Sequence, residues 1–347
     1  MQGTPYHFFF QWHLTERCNL KCRHCYQQTA KAELETEQVL QGIDQLGEAV
    51  HGWAVDYDMK LSPSIHFTGG EPFLRQGLYQ IIDHARSQDF TVSLMTNGTL
   101  ISPTIARRIR DAGVADVQVS IDGLRDTHDS IRGPGSYQRA VTGARNLAAA
   151  GVDTFINLTA SRLNLGDIQG LAEIAGEMGL ASLSISRLVP CGRGEELASQ
   201  MLTPEELTTL YRAIDQPRTG KQARLNSLEP LAAITGFEGE PPQVDFPVGG
   251  CAAGLSGITI AADGSLMPCR RMDLTIGNIT RDSFREVWAT SPVLLALRNR
   301  AAYHDGCDTC AYWSVCRGCR AVALAHARAQ GKEDYLGPDP QCPVGKR

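Results

Sequence analysis

A chain of 347 residues with 42% apolar and 20% charged side chains and a mean hydropathy of −0.20 has the make-up of an ordinary globular protein, long enough for one large core and one smaller domain. A net charge of −5 gives no footprint for nucleic acid, no run approaches the ~20 apolar residues of a membrane span, and Phe8 to Trp12 is too short for a signal-peptide core. A cytoplasmic chain without nucleic-acid or membrane partners is expected, and in that reducing compartment eleven cysteines, many in C-x2-C units, read as metal ligands before disulfides.

From Phe8 to about Pro190 short β-rich runs alternate with amphipathic helical runs, the pattern of βα units around a parallel sheet. Strands are predicted at Phe8–Leu14, Ser64–Thr68, Thr91–Thr96, Asp116–Ile121, Thr154–Thr159 and Ser182–Leu188. Helices are predicted near Glu33–Val50, Gly77–Ser87, Ser102–Ala112, Tyr137–Ala150 and Ile168–Met178, and Gly113, Gly151 and Gly179 stand where three of them stop. Six repeats are two short of a closed eightfold barrel, and they occupy residues 1–215. Residues 216–250 are rich in Pro, Gly and charge and read as a linker with one helix around Ser227–Thr235. In the last segment, 251–347, Ile258–Ala261 and Gly264–Met267 are expected to pair as a hairpin through Asp263-Gly264.

Ligand chemistry in parallel-stranded folds gathers at the C-terminal ends of the strands. After the first strand come Cys18, Cys22 and Cys25, spaced x3 then x2. A closed zinc site or a ferredoxin-type cluster takes four ligands, so three thiols in one tight loop suggest a [4Fe–4S] cluster with one iron open to a small molecule. A zinc knuckle borrowing His24 is the alternative reading. After the second strand comes Gly69-Gly70-Glu71, where bare backbone can approach a ligand, and after the third comes Asn97-Gly98. The fourth ends in Ser120-Ile121-Asp122-Gly123, followed by His128-Asp129-Ser130-Ile131-Arg132-Gly133.

Taken together these motifs resemble the radical S-adenosylmethionine (SAM) superfamily, whose core is an open (β/α)6 partial TIM barrel. The resemblance implies that the cluster on Cys18, Cys22 and Cys25 chelates SAM and that its one-electron reduction yields a 5′-deoxyadenosyl radical. It also places His24, Gly69, Gly70, Glu71, Asn97, Ser120 and Arg132 among the SAM contacts. Glu71 and the glycine backbone would hold the ammonium group, and Ser120 with Arg132 the carboxylate, a task suited to a planar bidentate donor. Cys191 follows the sixth strand where the family calls for no thiol, and it reads as a passive buried cysteine.

Farther on, Cys251 and Cys269 stand in a C-x12-G-x4-C arrangement, Cys307, Cys310, Cys316 and Cys319 in C-x2-C-x5-C-x2-C, and Cys342 alone. This resembles the SPASM domain, which binds two auxiliary iron–sulfur clusters; isolated C-x2-C pairs also make zinc ribbons. Carried over, the family's ligation gives one auxiliary cluster to Cys307, Cys310, Cys316 and Cys342. The other falls to Cys251, Cys269 and Cys319, leaving one iron without an assigned ligand. The last internal spacing is one residue shorter than the usual form, as in a subset that includes maturases of pyrroloquinoline quinone and mycofactocin precursors and porphyrin-editing enzymes. Arg270 occupies the place of the aspartate base of anaerobic sulfatase-maturing enzymes, which argues against that role.

The resemblance implies an oxidoreductase with three [4Fe–4S] clusters and SAM, fed by a reducing partner such as flavodoxin or ferredoxin. A ribosomally made peptide is the favoured substrate, to be crosslinked by a thioether or carbon–carbon bond or oxidised; tetrapyrrole side-chain editing is the alternative. Seven residues precede the first strand, so any leader peptide is expected to be read by a separate recognition protein or by the barrel surface. An electron carrier or scaffold would have no use for a SAM site.

Overall fold

The computed structural model describes residues 5–27, 31–216, 222–235 and 239–344. The first part runs β1 (Tyr6–His13), α1 (Thr36–Asp56), β2 (Leu61–Thr68), α2 (Leu78–Ser87), β3 (Thr91–Thr96), α3 (Pro103–Asp111), β4 (Asp116–Ser120), α4 (Arg125–Arg132), α5 (Ser136–Ala149), β5 (Thr154–Ala160), α6 (Ile168–Glu177), β6 (Ser182–Arg187) and α7 (Pro204–Ile214). There follow β7 (Arg224–Asn226), α8 (Ala232–Thr235), β8 (Gly257–Ile260), β9 (Ser265–Met267), β10 (Gly277–Asn278), α9 (Phe284–Thr290), α10 (Pro292–Arg298) and α11 (Arg320–Arg328).

One sheet contains all ten strands in the order β10-β9-β8-β1-β2-β3-β4-β5-β6-β7, with β8 through β7 parallel and β9 and β10 antiparallel. The six predicted strands and five predicted helices are all present, and the predicted hairpin is β8–β9. Two features differ from expectation. The parallel run has two further members: β7 lies within residues 216–250, where the expected helix shrinks to the four residues of α8, and β8 docks on β1. Strand β7 is too short for a period-2 pattern to announce it, and the docking of the expected strand β8 on β1 is a long-range pairing that its own residues do not encode. Part of 216–250 lies outside the described residues. Among the described residues no helix is long and apolar enough to cross a membrane.

Strand β1 has different work on its two faces. Phe8, Phe10 and Trp12 are buried, with Phe8 against Trp53 of α1 (ring centres 5.4 Å apart) and Trp288 of α9 (4.9 Å), and Phe10 edge-on to Phe284 of α9 (5.4 Å). A helix from the C-terminal segment therefore shares this aromatic layer with α1, and burial of such rings stabilises by roughly 1.5–3 kcal/mol each. The alternate residues Gln11 and His13 are also buried but point to the opposite face, where the cavities lie.

Candidate active site

The cysteine loop leaves β1 and is stitched by backbone to the loop after β2. Leu14 N–H donates to the Thr68 carbonyl (2.9 Å), Gly70 N–H to Thr15 (2.7 Å) and Glu71 N–H to Arg17 (2.8 Å). So close an approach demands the two glycines, because a Cβ on Gly69 would stand 2.2 Å from the Thr15 carbonyl oxygen and one on Gly70 2.2 Å from that of Arg17. Glu71 is fully buried, and its carboxylate accepts from Thr96 Oγ1 (2.7 Å), Asn97 N–H (2.9 Å) and Phe73 N–H (3.4 Å). Burial nevertheless pushes its pKa up to about 7.

Cys18, Cys22 and Cys25 border a cavity of about 140 Å³. His24, Gly69, Gly70, Asn97, Ser120 and Arg132 border it too, so every SAM contact expected from sequence meets there except Glu71, whose carboxylate braces the loop that carries Asn97. Arg132 Nη1 lies 4.0 Å from the Cys22 sulfur and Asn97 Nδ2 3.9 Å from that of Cys18. Burial pushes the Cys22 thiol up to about 11, so it keeps its proton until a metal displaces it. Among the described residues no three His, Cys, Asp or Glu side chains close around a single ion; these three thiols stand along a cavity wall instead. Three thiols beside a guanidinium and an amide are a donor set that fits an anionic iron–sulfur cluster.

Asp122 is the member of this site that sequence reasoning passed over. It is fully buried, and its carboxylate accepts from Arg132 Nε, from His24 Nε2 (2.9 Å) and from Thr159 N–H (2.8 Å). Burial alone would raise its pKa, but Arg132 and then His24 outweigh it and hold the carboxyl well below the usual range. Helix α4, itself not predicted, sets His128 and Arg132 one turn apart, and His128 Nδ1 accepts the Asp122 N–H (3.1 Å). The signal was an acid inside the same motif as the arginine. His24 is thereby tied to Asp122, while its Nδ1 remains buried without a partner.

The auxiliary cysteines fall into two neighbourhoods. Cys269 and Cys319 each feel the charge of Cys251, whereas Cys307 feels Cys342 and Cys310, and Cys316 feels Cys342. Buried arginines stand beside both groups. Arg187, at the end of β6, donates to Glu229 (3.1 Å), Asp339 (2.8 Å) and Gln341 (2.9 Å), and Asp339 accepts from Cys319 N–H (2.9 Å). Arg317, at φ +61°, donates to the carbonyls of Cys251 and Gly249. Arg320 donates from Nη1 to the Tyr335 (2.9 Å) and Gly337 (2.7 Å) carbonyls, but its Nε and Nη2 are buried without partners beside Cys307 and Cys316. Orphaned N–H groups on a buried cation next to thiols fit anionic clusters at these cysteines.

A second cavity of about 470 Å³ adjoins the first, and Tyr26, Gln27, Cys191, Arg270 and Arg271 border both. Cys191 is therefore half-buried at a junction, with burial pushing its thiol up to about 11. Ala261, Met267, Val322 and Ala325 supply apolar wall, while Glu16, Glu195 and Asp273 alternate with Lys31, Arg270, Arg271 and Arg328. Nothing in the cysteine pattern had pointed to His13, Tyr26 or Arg271.

Comparison with known proteins bears on the family and the two domains. Residues 12–175 match the radical SAM superfamily and residues 251–320 an iron–sulfur cluster-binding domain, SPASM. An AdoMet-dependent heme synthase of Methanosarcina barkeri is 31% identical over 95% of both chains. A mycofactocin maturase of Mycobacterium ulcerans is also 31% identical, over 96% of this chain and 87% of its own. Among solved structures, SuiB of Streptococcus suis bound to S-adenosylmethionine superposes with a TM-score of 0.71 at 18% identity, covering 97% of this chain and 77% of that one, a likeness of fold alone. The chain belongs to the radical SAM superfamily, as an enzyme whose two matched domains imply [4Fe–4S] clusters and SAM.

Proposed function

We propose that this enzyme modifies a ribosomally made peptide, with SAM held in the smaller cavity, the peptide in the larger, and hydrogen removed where the two meet. The shared wall of Tyr26, Cys191, Arg270 and Arg271 carries this reading. Three carboxylates and four cations line the larger cavity, and a guest that carries both signs, as a peptide does, matches such a wall. When bound, the cluster and SAM supply a 5′-deoxyadenosyl radical. Cys18, Cys22 and Cys25 would hold that cluster. Cys251, Cys269 and Cys319 would hold one auxiliary [4Fe–4S] cluster, and Cys307, Cys310, Cys316 and Cys342 a second, with flavodoxin or ferredoxin as electron donor. Ser120 and Arg132 orient SAM, and Asp122 fixes the plane of the Arg132 guanidinium.

Tetrapyrrole side-chain editing is the second reading, favoured by the heme synthase relative that aligns along 95% of its own length. Incubating the reduced, reconstituted enzyme and SAM with a synthetic precursor peptide of the mycofactocin type, and separately with coproporphyrin III, decides between them. A mass change in the peptide with release of 5′-deoxyadenosine supports the first; conversion of the porphyrin beside an unaltered peptide overturns it in favour of the second. Arg132→Ala should keep its iron yet bind SAM at least tenfold more weakly, since breaking a buried charge-assisted pair costs about 2–5 kcal/mol.

A further inference from the structure

Arg270 follows Cys269 and borders both cavities. Its Nη1 donates to Gln11 Oε1 (2.7 Å), and the guanidinium carbon stands 5.4 Å from the centre of the Tyr26 ring. Nε is buried without a partner, and among the described residues no carboxylate pairs with this side chain, whereas neighbouring Arg271 has Glu229 at 3.8 Å.

His13 adds an independent sign of a missing guest. At the end of β1 it is 3% exposed, borders the larger cavity, and keeps Nε2 buried and unpartnered. Its ring meets Tyr26 edge-on at 5.6 Å, and burial lowers its pKa to about 3, so it is neutral. A permanent cation and a neutral imidazole, both short of partners on one wall, call for an anionic guest. With Nη1 on Gln11, the Nε and Nη2 edge of Arg270 is left, and two parallel N–H groups match the two oxygens of a carboxylate. A cationic group would meet repulsion from Arg270 and Arg271 together.

We infer that Arg270, with His13 beside it, is a subsite for a carboxylate of the substrate and selects which carbon is presented at the junction of the cavities. The inference rests on the proposed seat of the substrate in the larger cavity. The same carboxylate chemistry comes from an acidic or C-terminal group of a peptide or from a porphyrin propionate.

Two matched probe pairs test it by binding to the cluster-loaded enzyme without reductant. One is the mycofactocin-type precursor peptide, as free acid and with every carboxylate amidated; the other is coproporphyrin III and its tetramethyl ester. The acid member of one pair should bind at least tenfold more tightly than its neutral partner, in keeping with a bidentate charge-assisted contact, and that pair names the source. Arg270→Gln should lose the preference while SAM binding persists, and Arg270→Lys should keep part of it, because a point charge lacks the fork. Equal binding of acid and neutral forms in both pairs, or a preference that survives in Arg270→Gln, overturns the subsite. Ala325→Trp, which fills the apolar wall, separates the two levels of failure. If acid binding survives that change, the substrate sits elsewhere and both readings fall; if the change blocks binding but Arg270→Gln leaves the preference intact, only the carboxylate subsite falls.

Discussion

Arg132 and Arg320 are both buried guanidiniums beside cysteines, and they are satisfied in different ways. Arg132 has a resident anion, Asp122, which His24 and Thr159 also hold. Arg320 has two backbone carbonyls for Nη1 and the Tyr303 ring 5.2 Å from its guanidinium carbon, but among the described residues no hydrogen-bond partner for Nε or Nη2. The first region is thus electrically complete before any cofactor arrives, built on the C-terminal ends of a parallel sheet. The auxiliary region keeps an uncompensated charge, and around its cysteines the backbone is largely irregular, with Cys307 to Cys316 crossed only by a single 3₁₀ turn. A site of the first kind is pre-formed; one of the second kind gains order from the cluster it binds.

The largest effect expected from this contrast follows replacement of Cys18, Cys22 and Cys25 together by alanine. SAM cleavage should vanish, and about a third of about twelve irons should go if each site holds a four-iron cluster. The thermal midpoint of the metal-free chain should barely move, because the Asp122–Arg132–His24 network and the backbone stitches at Gly70 and Glu71 remain. Full iron content in the triple variant would undo the ligand assignment, and a large loss of metal-free stability would undo the claim of pre-formation.

Next in size is Arg320→Met, whose sign should reverse with metal. In the metal-free chain, relief of a half-satisfied buried charge should at least offset the two carbonyls left without a donor, a cost of about 1–3 kcal/mol, so the change should be neutral or stabilising. The reconstituted variant should lose auxiliary iron and melt below the wild type. Denaturant curves on both forms check this; a metal-free variant less stable than wild type would mean that the Tyr335 and Gly337 carbonyls already balance the guanidinium, and the contrast with Arg132 would disappear.

The same contrast explains what could be read from the sequence. Strands β1 to β6 are long enough, or flanked clearly enough by helices, for hydrophobic period to mark them, and the cysteine spacings are covalent facts that no tertiary context can disguise. Strand β7, of three residues, exists because β6 offers it a free edge, and β8, read from its hairpin turn, joins the parallel run because β1 does the same; neither pairing lies in the local pattern. Asp122 stands inside a motif and Arg320 directly after the last cysteine of another, yet whether such a charge meets a partner is decided by residues outside those motifs, Thr159 for one and Tyr335 for the other. His13 and Arg270 meet through Tyr26, over a sequence separation that no local pattern spans.

The smallest expected effect probes the first region from within, since its two buried acids are held by different kinds of donor. Asp122 is held by the Arg132 guanidinium together with His24 and Thr159, and its depressed pKa means a contribution to stability that is present above the ordinary 3.8 and lost as pH falls through the folded value. Glu71 has only the neutral donors Thr96, Asn97 and Phe73, and its raised pKa reverses the sign. Its contribution is full below the ordinary 4.5 and is lost as pH rises through about 7. Glutamine at this position cannot ionise, and its amide can donate to the Thr96 hydroxyl once that group turns. Between pH 4.5 and 8, metal-free wild type should therefore lose up to about 3 kcal/mol more stability than Glu71→Gln, at ~1.4 kcal/mol per pKa unit. Urea midpoints of the two proteins at pH 5 and pH 8 read the difference directly. Parallel pH profiles would mean that the three neutral donors hold the carboxylate ionised at no cost, and that the loop carrying Asn97 is as well compensated as the Arg132 site.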